Sequence, residues 1–248
     1  MIVDGVDLDV ADVAGVEPAL VLLHEGLGSI ALWRGLPAAL HGATGRRTVV
    51  YSRGGYGHSG TVPLPRPATY MHHEADVVLP ELLAALGLEH PVLVGHSDGA
   101  SIALLHAGAG HPVTALVLLA PHVVVEDVGV AAIAAARDAY ATTDLRARLA
   151  RYHDDVDAAF YGWNDVWLSP EFRSWDITPR LSAIAAPVLV VQGEDDAYGT
   201  THQLDLVAEG VTGPIDRLLL PAVGHAPHLE APDVVLHTIV SFLARATK

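Results

Sequence analysis

The chain has 248 residues, 51% of them hydrophobic and 17% charged, which is enough apolar material to bury one large core. Its 14 Lys and Arg stand against 29 Asp and Glu, a formal net charge of −15 that repels phosphate backbones and anionic lipid surfaces and argues against nucleic acid as a partner. The absence of cysteine removes disulfides, thiolate nucleophiles and thiolate metal sites.

The N-terminus, Met1 to Val10, alternates apolar residues with Asp and reads as a strand. It lacks the basic and apolar stretches of a secretory signal. The longest apolar runs, such as Ala115 to Ala120 and Pro187 to Val191, fall short of the roughly 18 residues a membrane span needs. The expectation is a cytoplasmic protein with no membrane contact.

Unalternated runs rich in Val and Leu follow at Ala19–Leu23, Thr48–Tyr51, Val92–Val94, Leu116–Leu119, Val188–Val191 and Leu218–Leu220. Runs of this kind suit strands covered on both faces. Helical spacing lies between them at Ile30–Leu40, Ala75–Leu86, Gly99–Ala107 and Val234–Ala244. Strand alternating with helix predicts an α/β fold with a doubly wound, mostly parallel sheet. From Pro121 to about Arg180 no strand pattern occurs, only Ala-rich and charged helical stretches with Tyr161, Trp163, Trp167 and Trp175. The expected organisation is one domain over 1–248 with a helical insertion at about 122–180.

Chemistry concentrates where strands end. After Val92–Val94 comes Gly95-His96-Ser97-Asp98-Gly99 and then a helical run, the G-x-S-x-G pattern in a strand-turn-helix setting. Small neighbours let strand and helix approach, and the helix start brings free amides and its positive dipole end beside the Ser97 hydroxyl. Serine is a weak nucleophile, so it requires a base, and the base requires an orienting group. Gln192-Gly193-Glu194-Asp195-Asp196 ends one strand with three carboxylates, and Pro221-Ala222-Val223-Gly224-His225 ends another with a histidine. In a parallel sheet these loops share the carboxyl edge, so Ser97, Asp196 and His225 can converge. Of the 15 histidines, His24, His72, His73, His111 and His202 read as solvated or capping, and His228 reads as the start of the closing helix.

These residues resemble the α/β-hydrolase superfamily from about Ala19 to the C-terminus. His24-Glu25-Gly26-Leu27-Gly28 is similar to the family's H-G-x-x-G oxyanion loop, and Tyr51 to Ser59 is similar to its glycine-rich segment. Gly193-Glu194-Asp195-Asp196 resembles the G-x-x-D acid turn and Gly224-His225 the catalytic G-H. The resemblance implies a serine hydrolase cleaving an ester, lactone or thioester, with no cofactor and no metal. Ser97, Asp196 and His225 would be catalytic, and the amides of Gly26 and Asp98 would receive the oxyanion. It also implies a helical cap at the insertion. Asp196 is favoured as the acid over Asp195, Glu126 and Asp127. Glu25 departs from the family's usual glycine and joins His122, Tyr161, Trp163 and Trp167 as expected substrate-binding residues, whose aromatic character suits an apolar or ring-containing acyl group.

Other readings use some of the same residues. A carbon–carbon bond hydrolase, a cofactor-free peroxidase and a non-catalytic ligand receptor all fit the triad. Gly26-Leu27-Gly28-Ser29-Ile30-Ala31 also matches G-x-G-x-x-A, and Ser52-Arg53 could meet a 2′-phosphate, as in an NADP-dependent oxidoreductase. Against this, Glu25 would bring negative charge to the pyrophosphate. His72-His73-Glu74 lacks the H-E-x-x-H spacing of a zinc site, since Val77 stands where the second His would be.

Overall fold

The computed structural model describes residues 1–247. The expected N-terminal strand is a small antiparallel hairpin of β1 (Ile2–Val3) and β2 (Val6–Asp7). Asp4 and Gly5 both take positive φ, 46° and 74°, which is the Asp-Gly hairpin turn that the alternating pattern conceals.

The main sheet contains β3 (Val10–Val13), β4 (Val16–Leu23), β5 (Arg46–Tyr51), β6 (Val92–His96), β7 (Ala115–Leu119), β8 (Val188–Gly193) and β9 (Ile215–Leu220). Their spatial order is β3-β5-β4-β6-β7-β8-β9, with β3 antiparallel to β5 and every other pair parallel. This is the α/β-hydrolase fold. Side chains along each central strand divide between two cores. Val21, Leu93, Leu116 and Val190 face one; Leu22, Val94, Val117 and Val191 face the other. Burial of each such side chain contributes about 1.5–3 kcal/mol, so the unalternated Val and Leu runs follow from two covered faces.

The predicted helix Ile30–Leu40 is broken: a 3-10 turn at Ile30–Trp33 precedes an α-helix at Leu36–Thr44. Arg34 turns through positive φ, and Pro37 suits the first turn of the second helix, not the interior of a longer one. The glycines at 26 and 28 therefore lead into a short 3-10 turn, not into the free N-terminus of an α-helix that would hold a pyrophosphate. Between β7 and β8 the chain forms helices at Asp127–Thr142, Leu145–Leu149, Val156–Leu168, Pro170–Ser174 and Thr178–Leu181. A single bridge, Val124 to Asp176, ties its two ends. Among the described residues no helix is long and apolar enough to cross a membrane.

β4 pairs with β5 on one side and β6 on the other, so chain order reverses at β4. Ligands of open α/β sheets bind at the carboxyl ends beside such a reversal. The segments that leave there are His24 to Gly28 and Ser97.

Candidate active site

Ser97 has φ 51° and ψ −119°, a strained conformation for a residue with a side chain, between β6 and the helix Asp98–Gly108. Its amide donates to Leu119 O on β7 at 2.9 Å, and its carbonyl accepts from Ala100 at 2.9 Å. The two motif glycines are required by contact: a Cβ on Gly99 would lie 1.9 Å from Leu23 O, and one on Gly95 2.4 Å from Gly99 O. The turn thus sets Ser97, itself buried, at the border of a small cavity, while the Asp98 amide, first in its helix, is left without an intrahelical acceptor.

The loop after β4 is held by its carbonyls. Arg53 Nη2 donates to Glu25 O at 2.8 Å, and His24 Nδ1 meets the same oxygen at 2.7 Å while its Nε2 accepts the Arg53 amide at 2.9 Å. On the far side His153 Nε2 contacts Leu27 O at 3.0 Å and its Nδ1 accepts the Gly57 amide at 3.0 Å. With the carbonyls of Glu25 and Leu27 engaged, the amides between them are available to the cavity. His24 is accordingly not solvated or capping, as its sequence context suggested. It is fully buried, and burial together with Arg53 keeps its pKa well below the ordinary value.

Asp196 and His225 are brought together by the loops after β8 and β9. His225 Nδ1 lies 2.9 Å from both Asp196 oxygens, and Asp196 Oδ1 also accepts the Tyr198 amide at 2.8 Å. Gly193 permits the approach, since a Cβ there would stand 1.9 Å from Val223 O. Glu230 fixes the histidine loop by accepting from the amides of Gly224 and Ala226. Burial pushes the Asp196 carboxyl up in pKa, but the bond and charge of His225 outweigh it and the net shift is downward. The other carboxylates lie elsewhere. Asp195 is exposed, Asp127 pairs with Arg173 at the surface, and Glu126 is occupied by Thr200 and Gln203.

Ser97 and His225 line one cavity of about 120 Å³ together with Glu25, Gly26, Asp98, His122, Trp163 and Trp167. No hydrogen bond joins the Ser97 hydroxyl to His225 among the described residues, and both residues border this space. Tyr161, expected in the same wall, is instead 40% exposed and packs on Tyr140 and Phe160. Trp163 and Trp167 are four apart and share a face of the helix Val156–Leu168, whereas Tyr161, two residues from Trp163, points to the opposite side. Leu27, Ile133 and Tyr198 complete the lining; Leu27 lies within the loop motif after β4, whereas Ile133 and Tyr198 carried no motif, and only the nearness of Tyr198 to Asp196 in sequence pointed to it.

Polar groups behind the wall set its electrostatics. His96 Nε2 lies 2.8 Å from His225 O, and its Nδ1 is 3.5 Å from Glu25 Oε2. Burial would raise the Glu25 pKa, but His96 overrides it and holds the carboxyl far below the usual range. His122 is buried beside His225, and burial lowers its pKa to about 3, so it stays neutral. The Asp98 side chain is buried, accepts from Tyr70 Oη at 2.5 Å and sits 3.7 Å from Arg53; Trp167 Nε1 donates to Tyr70 Oη at 3.0 Å. His228, buried against Trp33 and His96, has its pKa lowered to about 3, chiefly by burial.

Residues 20–238 match the sequence model of the Alpha/beta hydrolase family. The provisionally assigned carbamate hydrolase RutD of Agrobacterium fabrum is 31% identical over 93% of this chain and 95% of its own, and its namesake from Variovorax paradoxus is 29% identical over 92% of each. Among solved structures, the enol-lactonase of Burkholderia xenovorans superposes with a TM-score of 0.77 at 22% identity over 99% of both chains, a likeness of fold. A strained serine turn beside a sheet reversal and a family match across most of the sequence agree: the chain belongs to the alpha/beta hydrolase family.

Proposed function

We propose that this chain is a serine hydrolase cleaving a carboxylic ester, lactone or thioester, with Ser97 as nucleophile, His225 as base and Asp196 as the orienting acid. The observation that carries this reading is the Asp196-bound His225 facing the same cavity as a serine held at φ 51°. Ser97 Oγ attacks the carbonyl carbon and gives its proton to His225 Nε2 as the C–O or C–S bond prepares to break. The amides of Gly26 and Asp98 receive the oxyanion, and His225 returns the proton to the leaving group. Water, deprotonated by His225, then releases the acid from the acyl-enzyme. Catalytic hydrogen bonds are commonly long before substrate tightens a site, which accommodates the open spacing of Ser97 and His225.

The cavity volume of about 120 Å³ is somewhat below the roughly 150 Å³ that accepts benzene, so the acyl group is a short chain or at most a small ring. Trp163 and Trp167 supply its apolar walls, and Glu25 and His122 its polar ones. Carbamate cleavage is a second reading, supported by the names of the two relatives and by the Glu25 carboxylate, which would accept a carbamate N–H. A panel of acetyl ester, small lactone, acetyl thioester and phenyl carbamate, assayed with the parent and Ser97→Ala, tests both. Turnover of the first three that falls about 10⁶-fold in the variant supports the main reading. Turnover of the carbamate alone transfers the conclusion to the second, and turnover undiminished in Ser97→Ala refutes both.

A further inference from the structure

His122 is held in place from several sides. Ala120, the first residue past β7, takes φ 47°, a conformation that residues with side chains seldom adopt and that a fold keeps only where its surroundings impose it. Two residues on, the His122 backbone is clamped to the nucleophile's helix: Ser101 Oγ donates to its carbonyl at 2.6 Å and accepts from its amide at 3.3 Å. Trp167 packs edge-on against the imidazole with ring centroids 5.2 Å apart, and a Cβ on Gly199 would stand only 3.3 Å from Cε1. Yet neither ring nitrogen has a hydrogen-bond partner among the described residues; burial and the charges of its neighbours are what act on it. Neither nitrogen is walled off from a molecule the size of water, although His122 as a whole is only 4% exposed, and the space it borders is the cavity at Ser97. A buried polar ring fixed in position and left unpaired is arranged for a partner that arrives with the ligand.

Charge and size decide the chemistry of that partner. Burial keeps His122 neutral, its pKa lowered to about 3, so the ring offers one N–H donor and one lone pair and no charge for an anion. Among the described residues no Lys or Arg lines the cavity. Of its carboxylates, Asp98 is engaged by Tyr70 and Arg53, while Glu25 is kept ionised beside His96 despite its burial, which disfavours an anion or a group with lone pairs alone. An ammonium group would lose its hydration and could answer only a lone pair. A hydroxyl answers whichever nitrogen faces it, in either tautomer. The cavity of about 120 Å³ falls short of the roughly 150 Å³ that accepts the six carbons of benzene, so an acyl group there has about four or five non-hydrogen atoms and its substituent lies beside the carbonyl. We propose, on the basis of the Ser97 hydrolase reading, that His122 is a specificity-determining residue that selects short 2-hydroxyacyl groups. An analogue without the hydroxyl leaves the imidazole unpaired, and discrimination follows from that loss.

The test compares methyl glycolate with methyl propionate, in which a methyl group of similar size replaces the hydroxyl, as substrates of the full chain. The ratio of their kcat/KM values, divided by the ratio of their hydroxide-catalysed rates, should favour glycolate about tenfold, the scale of one hydrogen bond. The preference should vanish in His122→Phe, which keeps a flat ring without nitrogens, and return in part in His122→Asn, which keeps a donor and an acceptor. A ratio is insensitive to a general loss of turnover. A second readout needs no turnover: the imidazole proton resonance that is missing from His122→Phe should shift when the parent is titrated with glycolamide and not with propionamide. That shift without cleavage of either ester would support the subsite and remove the hydrolase reading. No shift together with no glycolate preference would overturn the proposal whether or not the esters are cleaved. Methyl glycinate preferred to the glycolate, or a glycolate preference unchanged in His122→Phe, would overturn it as well.

Discussion

Replacing Asp196 by Asn isolates what the carboxylate does for His225. Both carboxylate oxygens lie 2.9 Å from Nδ1, so the ring is held with its proton on Nδ1 and Nε2 free to accept another. An amide at this place keeps the volume and can still accept the Tyr198 amide through its carbonyl, which turns its NH₂ toward the imidazole. The ring then adopts the other tautomer, with Nε2 carrying the proton and unable to take the one from Ser97. Loss of the orienting carboxylate in serine triads costs about 10⁴-fold in turnover, or about 5.5 kcal/mol of barrier at 1.36 kcal/mol per tenfold. The mispaired buried amide should cost stability as well, about 1–3 kcal/mol. Measuring kcat/KM on an ester the parent hydrolyses, with the melting temperature as a folding control, separates the two effects. A folded Asp196→Asn variant within tenfold of the parent would refute the assignment of Asp196.

The same carboxylate has a signature in pH. Its folded pKa is depressed, so its stabilisation is complete above the unfolded value near ~3.9 and is lost as pH falls through the lower folded value. Melting temperatures of the parent and Asp196→Asn should therefore converge below about pH 4; a gap that widens in acid would contradict this. Gly26→Ala places a methyl 2.2 Å from Trp163 Nε1, so the loop must shift and kcat should fall about 10²–10³-fold, as when an oxyanion donor is lost; unaltered kcat would remove Gly26 from that role. Glu126→Gln weakens the contacts to Thr200 and Gln203, and should lower the melting temperature by a few degrees with turnover within about tenfold of the parent. A loss near 10³-fold would instead make Glu126 the acid.

Much of the architecture could be read from residue order because burial on both sheet faces imposes a local pattern: Val92–His96 and Val188–Gly193 are buried on both faces and open with unalternated Val and Leu. The elbow was legible for a related reason, since Gly95 and Gly99 answer to backbone atoms under 2.5 Å from any added Cβ. What local pattern could not carry was orientation. Tyr161 and Trp163 belong to one aromatic cluster in sequence, yet only helical phase decides which faces the cavity. His24 and His153 look ordinary in sequence, and their work in turning two carbonyls of the loop after β4 depends on Arg53 and Gly57, contacts set by tertiary packing. Ile133 is one apolar residue among many, and only the fold brings it to the site.

Reaction of the full chain with a fluorophosphonate, followed by mass mapping of the modified peptide, bears most directly on the proposed chemistry. The account predicts a single adduct on Ser97, formed far more slowly when His225 is replaced by Ala. An adduct on another side chain, or labelling of Ser97 at an undiminished rate without the imidazole, would contradict it.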